Sequence, residues 1–164
     1  MGSSRWIVPA GAGVRQPNMP GEVFTWMTSG EDNGGAMDFA ELSLDPGVRV
    51  PEHIHHRNHE AYYILDGTYR FKVGDEVAEA SSGTFVFIPQ GTPHAWVNTG
   101  TERGRVALIF TPGGLRGLLT DIAPLVPDLM IATTDTSMVN PDVMAQAAAV
   151  FEQYGYELVG PPLT

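Results

Sequence analysis

The chain contains no cysteine. That excludes disulfides and thiolate metal ligands together, so any bound metal must be held by His, Asp or Glu. Charge is sparse: only 17% of residues are charged, low for a soluble domain, so much of the chain is expected to be buried or paired with a second copy. Positive charge is scarcer still, with nine Lys and Arg against 19 Asp and Glu, for a net charge of −10 and a pI near 4.7. Such a surface repels a phosphate backbone, and nucleic acid is not an expected partner. No run of 18 apolar residues occurs, so no membrane-spanning helix is expected. The first residues show no basic stretch followed by a long apolar core, so no signal peptide is expected, and with no cysteine the simplest compartment is the reducing cytoplasm.

What is present fits one domain. The 164 residues are 43% apolar, enough for a single core. The 19 Gly and 13 Pro fall between short apolar runs, which marks tight turns. β-type runs recur at 5–8, 22–28, 37–44, 60–65, 68–73, 84–88, 94–98 and 105–110. The clearest alternates Tyr69, Phe71 and Val73 with Arg70 and Lys72, as half-buried strands do. Asp66-Gly67 reads as a hairpin turn, and Gly74-Asp75 and Ser82-Gly83 as further turns. About eight short strands without intervening helices predict an all-β antiparallel sandwich or barrel over about 5–111. The remainder, about 112–164, reads as a helical extension: a short helix over 115–122, a long connection over 123–139, and a second helix. That second helix is capped by Asn140 with Pro141 in its first turn, carries Val143, Ala147, Val150, Phe151 and Tyr154 at helical spacing, and stops at Gly155. It is expected to pack outside the barrel or on a second subunit.

All five histidines sit in two short segments: His53, His55, His56 and His59 in PEHIHHRNHE, and His94 in IPQGTPHAWVN. A transition metal needs several ligands at one point, and imidazole is its commonest side-chain ligand. On a strand, residues i and i+2 share a face, so His53 and His55 project together. Glu60 follows after four residues, enough for a turn to an adjacent antiparallel strand, and His94 comes from a more distant one. Three imidazoles and a carboxylate suit one borderline divalent metal per chain (Fe, Mn, Ni, Co, Cu or Zn), with coordination positions left open as in a catalytic site. His56 has the opposite strand parity and His59 lies in the turn, so both are read as solvent-facing neighbours.

HxH by itself is common; the spacing around it is not. Gly47, five residues, His53-Ile-His55, four residues, Glu60, six residues and Gly67 form one block. Gly83, five residues, Pro89-Gln-Gly91, two residues, His94, three residues and Asn98 form another, 15 residues further on. These blocks resemble the two motifs of the cupin superfamily at every fixed position, and the chain is similar to small quercetinase-like cupins. The resemblance implies a single jelly-roll β-barrel with short C-terminal helices, a metal held by His53, His55, Glu60 and His94, and structural roles for Gly67 and Asn98. In quercetinase-like cupins the acid equivalent to Glu60 is proposed to take a proton from the substrate, so the resemblance makes Glu60 the candidate catalytic base, with a permanent metal ligand as the alternative. The alternative jelly-roll triad, His-x-Asp…His, fails here because its third position is His55. Arg103 and Arg105 then read as exposed turn charges.

If the ligands point inward, strand parity turns Tyr62 and Trp96 inward as well. Phe85 and Phe87, or their neighbours on the same strand, with Phe39 at the opening, are expected to complete an apolar, aromatic substrate pocket. A quercetinase-like dioxygenase acting on a small aromatic or enolic molecule with O2 is the leading expectation. A non-redox isomerase, cyclase or dehydratase comes next, and a small-molecule-binding cupin without catalysis third. Exposed edge strands and the low charge content favour a homodimer.

Overall fold

The computed structural model describes residues 6–132 and 140–164. They form strands β1 (Val14–Pro17), β2 (Glu22–Thr28), β3 (Asp38–Leu44), β4 (Arg49–His55), β5 (His59–Asp66) and β6 (Thr68–Val73). After these come β7 (Glu76–Ser81), β8 (Phe85–Ile88), β9 (His94–Asn98), β10 (Gly104–Thr111) and β11 (Tyr156–Pro162). The helices are α1 (Gly30–Asn33), α2 (Leu115–Ile122), α3 (Val126–Ala132) and α4 (Pro141–Tyr154), with a 3-10 turn at Ala123–Leu125.

Strict alternation builds the first sheet. In β3, Asp38, Ala40, Leu42 and Leu44 are buried while Phe39, Glu41 and Ser43 face outward, and β2 and β10 repeat the pattern. Six strands pair antiparallel in the order β1-β2-β3-β10-β5-β8, and five in the order β11-β4-β9-β6-β7. The two inner faces enclose Trp26, Leu42, Ile64, Tyr69, Trp96 and Leu108. Each such aliphatic side chain contributes roughly 1.5–3 kcal/mol on burial. The architecture is the all-β jelly roll with short C-terminal helices expected from the sequence.

Some local expectations change. Residues 6–8 are not a strand, and the first strand is Val14–Pro17. Asp66-Gly67 does not close a hairpin: β5 and β6 belong to opposite sheets, and the chain crosses between them there. Gly67 has a φ of 96°, and a Cβ on it would lie 3.0 Å from Gly104 Cα, so the crossing needs glycine twice over. Gly74-Asp75 does close the β6–β7 hairpin. The expected connection over 123–139 contains α3; its residues 133–139 lie outside the described residues.

The C-terminal segment departs most from the expectation. The Asn140 side chain caps α4 by accepting from the Asp142 amide, and Gly155 ends the helix in the left-handed region, as read from the sequence. Beyond Gly155 the chain does not trail away. It returns as β11 and pairs with β4, with Tyr156 opposite His55 and Leu158 opposite His53. Asp38, fully buried at the start of β3, accepts hydrogen bonds from the Gly114, Leu115 and Arg116 amides and so pins α2 to the barrel. Helices α2 and α4 pack together, and both line the interior cavity described below.

Candidate metal centre

The register of β4 decides which way its histidines point. Val50 lies opposite Trp96 on β9, and His53 lies opposite His94: three steps along β4 against two along β9. The extra residue is a bulge at Pro51-Glu52, where Pro51 has no amide to give the ladder. Simple alternation from Val50 would turn Glu52 and Ile54 inward. The bulge turns His53 and His55 inward instead, and they are 5% and 4% exposed.

Two strand relationships differ from the sequence expectation. His94 sits on β9, the direct neighbour of β4, rather than on a distant strand. Glu60 sits on β5 in the opposite sheet, so it reaches the histidines across the sandwich. The centre therefore ties the two sheets together. His53, His55, Glu60 and His94 each offer one ligand atom, and these atoms all lie within 4.8 Å of one another. His94 Nε2 is 2.9 Å and His55 Nε2 3.8 Å from Glu60 Oε2. Metal–ligand bonds of about 2.0–2.2 Å put pairs of donor atoms roughly 3–4 Å apart, so the cluster fits a metal with small contractions.

The surroundings prepare these donors. The Nδ1–H groups of His53 and His94 are placed to donate to the Pro51 and Thr92 carbonyls at 2.8 and 2.9 Å, which leaves each Nε2 lone pair aimed at the centre. Burial, reinforced by the neighbouring imidazoles, lowers the His53 pKa to about 3. Burial likewise takes His55 to about 4, so both rings are neutral ligands. Burial alone would push the Glu60 carboxyl up. The hydrogen bond from His94, helped by the electrostatics of the surrounding imidazoles, outweighs it and holds the carboxyl at about 2. His94 is shifted upward because the Glu60 contact overcomes its burial. The site thus favours an anionic carboxylate facing positive charge, which is what a divalent ion supplies.

Glu60 is held from behind. Trp96 Nε1–H donates to the Tyr62 hydroxyl at 3.1 Å, and that hydroxyl donates to Glu60 Oε1 at 3.0 Å. Burial, and next the Glu60 charge, raise the Tyr62 pKa well above its ordinary value, so the phenol stays a donor. One carboxylate oxygen is thereby fixed in place while the other faces the histidines.

His53, His55 and Glu60 line a cavity of about 940 Å³ together with Tyr62 and Trp96. Its other walls are mainly apolar: Phe24, Leu42 and Leu108 from the barrel, Leu118 and Ile122 from α2, and Phe151 from α4. The remaining expected pocket residues are elsewhere. Phe85 and Phe87 point outward from β8, 59% and 52% exposed, because the inward phase of that strand is taken by the partly buried Val86 and the buried Ile88. Phe39 alternates with the buried Asp38 and Ala40 and lies on the outer face of β3. The outward parity of these three positions, set by their strand neighbours, overrides their apolar character. His56 pairs with Glu157 at the surface, and His59 accepts from the Gln90 amide and stacks on Phe87, so neither joins the cluster. Asn98 ties together the Leu44 and Asp45 carbonyls, and Arg103 and Arg105 form surface pairs with Asp45 and Glu41.

Two residues of this region carried no sequence expectation. Tyr156 stacks on His53 at 4.9 Å and meets His55 edge-on at 5.4 Å. The Tyr156-Glu157-Leu158-Val159 run just past a helix-ending glycine was the available signal. Glu22 lies inside the barrel in phase with Phe24 and Trp26, and an acid on the apolar face of an alternating strand was its signal.

Residues 40–110 match the family model described as Cupin domain. Among curated proteins, the quercetin 2,3-dioxygenase of Bacillus subtilis (strain 168) is 33% identical over 75 residues, covering 46% of this chain and 22% of that protein. The chain spans from about a fifth to about half of the length of the curated relatives it matches. Among solved structures, KdgF from Halomonas sp. superposes with a TM-score of 0.59 at 19% identity over 70% of this chain and 96% of the other. A predicted oxalate decarboxylase from Thermotoga maritima gives a TM-score of 0.56 at 27% identity over 64% and 97%.

Proposed function

We propose that this chain, whose residues 40–110 match the cupin family model, is a small metal-dependent cupin enzyme of quercetinase-like type, acting with O2 on an enolic or phenolic molecule of low charge. The observation that carries the reading is the placement of three of the four candidate ligands, His53, His55 and Glu60, on the wall of one large apolar cavity. A closed structural metal site would not face such a space. His53, His55, Glu60 and His94 would hold a divalent metal, which when bound would supply Lewis acidity and, for a redox-active ion, a redox partner for O2 chemistry.

The chain's own residues then have separable tasks. The apolar walls exclude water and hold a ring system against the donor cluster. Glu60 Oε2 accepts the proton of the substrate hydroxyl, while the Trp96–Tyr62 hydrogen bonds keep Oε1 fixed. Tyr156 and Phe110 pack on the imidazoles and keep them from rotating out of line. The cavity's size and its few charged groups favour this substrate class over a small dianion such as oxalate, for which a cationic lining is expected. Among the described residues, Arg49 is the one Lys or Arg lining the cavity, and it is exposed at the start of β4.

The test is turnover of the metal-loaded protein on a panel of flavonols and other enolic compounds, followed with an oxygen electrode. Substrate loss with stoichiometric O2 uptake is expected. Glu60→Gln should keep part of the metal and lose most of the turnover. Full-rate turnover without O2 would assign the site to a non-redox isomerisation or elimination, with Glu60 as its base. Metal loading without turnover on any panel member would point to a binding protein.

A further inference from the structure

The barrel encloses a carboxyl that the metal centre does not use. Glu22 opens β2 on the same inward face as Phe24 and Trp26 and is 2% exposed. The other buried acids are accounted for: Asp38 caps α2, and Glu60 belongs to the donor cluster. Glu22 has no cation beside it among the described residues. Its one side-chain hydrogen bond comes from Asn18 Nδ2, 2.6 Å from Oε2. The Asn18 side-chain oxygen Oδ1, itself shielded from water, has no hydrogen-bond partner among the described residues. The fold gains nothing from this arrangement: an apolar residue in phase with Phe24 would avoid the cost of burying a carboxyl.

Both residues line the cavity that His53, His55 and Glu60 line. The cavity's other walls are mainly apolar and aromatic, with Phe24, Leu42, Leu108 and Trp96 among them. The Glu22 carboxyl is also near enough to help raise the phenols of Tyr62 and Tyr156. The cavity thus has a metal-binding cluster, apolar walls and a separate hydrogen-bond acceptor outside the cluster. Such an acceptor, buried and under-satisfied in a ligand-sized space, marks a recognition point.

We propose that Glu22, steadied by Asn18, is a second anchor of the substrate cavity, accepting a hydrogen bond from a hydroxyl group on a ligand whose enolic oxygen lies at the His53–His55–Glu60–His94 centre. The inference rests on the enolic-substrate reading above and adds to it a second hydroxyl, remote from the reacting oxygen. It also excludes substrates with a carboxylate or phosphate at that end, which Glu22 would repel.

The experiment is an anaerobic binding titration of the metal-loaded protein at pH 8.5, where the Glu22 carboxyl is ionised, read from the flavonol absorbance shift. Two probes are compared: quercetin, which carries remote hydroxyls, and 3-hydroxyflavone, which has the same chelating group and no other hydroxyl. The wild-type protein should prefer quercetin by about tenfold, the size of one hydrogen bond to a charged acceptor. Glu22→Leu should abolish that preference and change 3-hydroxyflavone affinity less than about twofold, while Glu22→Gln, which keeps an acceptor, retains most of the preference. Equal affinities in the wild type overturn the anchor by themselves, whether or not a variant folds, and leave the enolic reading standing. A preference that survives in Glu22→Leu also overturns it. Failure of both probes to bind the metal-loaded wild type overturns the enolic reading and the anchor with it.

Discussion

Glu22→Gln should stabilise the protein, and should do so only as the pH rises. Burial pushes the Glu22 carboxyl from 4.5 up to about 7, only partly offset by the Asn18 hydrogen bond. The folded protein therefore holds a proton on Glu22 between those two values while the unfolded chain does not. Stability from the protonated form is fully present below about 4.5 and is lost as pH rises through about 7. The gap corresponds to roughly 3 kcal/mol at 1.36 kcal/mol per pH unit, with no discount for screening because the side chain is almost fully enclosed. Glutamine has the same shape and cannot ionise. At pH 5 the two proteins should differ little; at pH 8.5 the variant should be more stable by roughly 3 kcal/mol, or about 6–12 °C in Tm for a chain of this size. Thermal unfolding of both metal-loaded proteins from pH 5 to 8.5 measures this, and contributions from the metal centre cancel in the difference. Parallel Tm curves across that range would refute the account of Glu22 as a carboxyl buried without compensation.

Two further outcomes are expected. Tyr62→Phe removes the donor to Glu60 Oε1 and leaves the buried Trp96 N–H unpaired. It should cost about 1–3 kcal/mol in denaturant unfolding and slow turnover roughly 10- to 100-fold with metal content retained; unchanged kinetics would remove Tyr62 from any role in positioning the base. Phe85→Ser and Phe87→Ser change exposed side chains on β8. Unfolding should shift by less than about 0.5 kcal/mol with flavonol binding unaltered, whereas loss of binding would return these rings to the pocket.

The donor set was legible in the sequence because its spacing is bound to chemistry: His53, His55, Glu60 and His94 converge as read. The route by which they converge was not. Strand pairing is non-local, so the positions of His94 on a neighbouring strand and of Glu60 across the sandwich depend on a sheet order that spacing does not encode. The bulge at Pro51 that reverses the parity of β4 could have been suspected from a proline inside a strand. Phe85 and Phe87 misled because apolar character was given more weight than alternation with Val86 and Ile88. Glu22 and Tyr156 were missed for a related reason. One is an acid in an apolar phase, and the other begins a strand within a segment read as a helical extension; only the folded chain brings either to the cavity.

The central claim is that His53, His55, Glu60 and His94 hold one divalent transition metal. Elemental analysis of the protein purified without added metal, beside His94→Ala and His55→Ala, tests it directly. The account predicts close to one equivalent of metal in the wild-type protein and near-complete loss in both variants with the fold retained. Metal content unchanged by either substitution would contradict it.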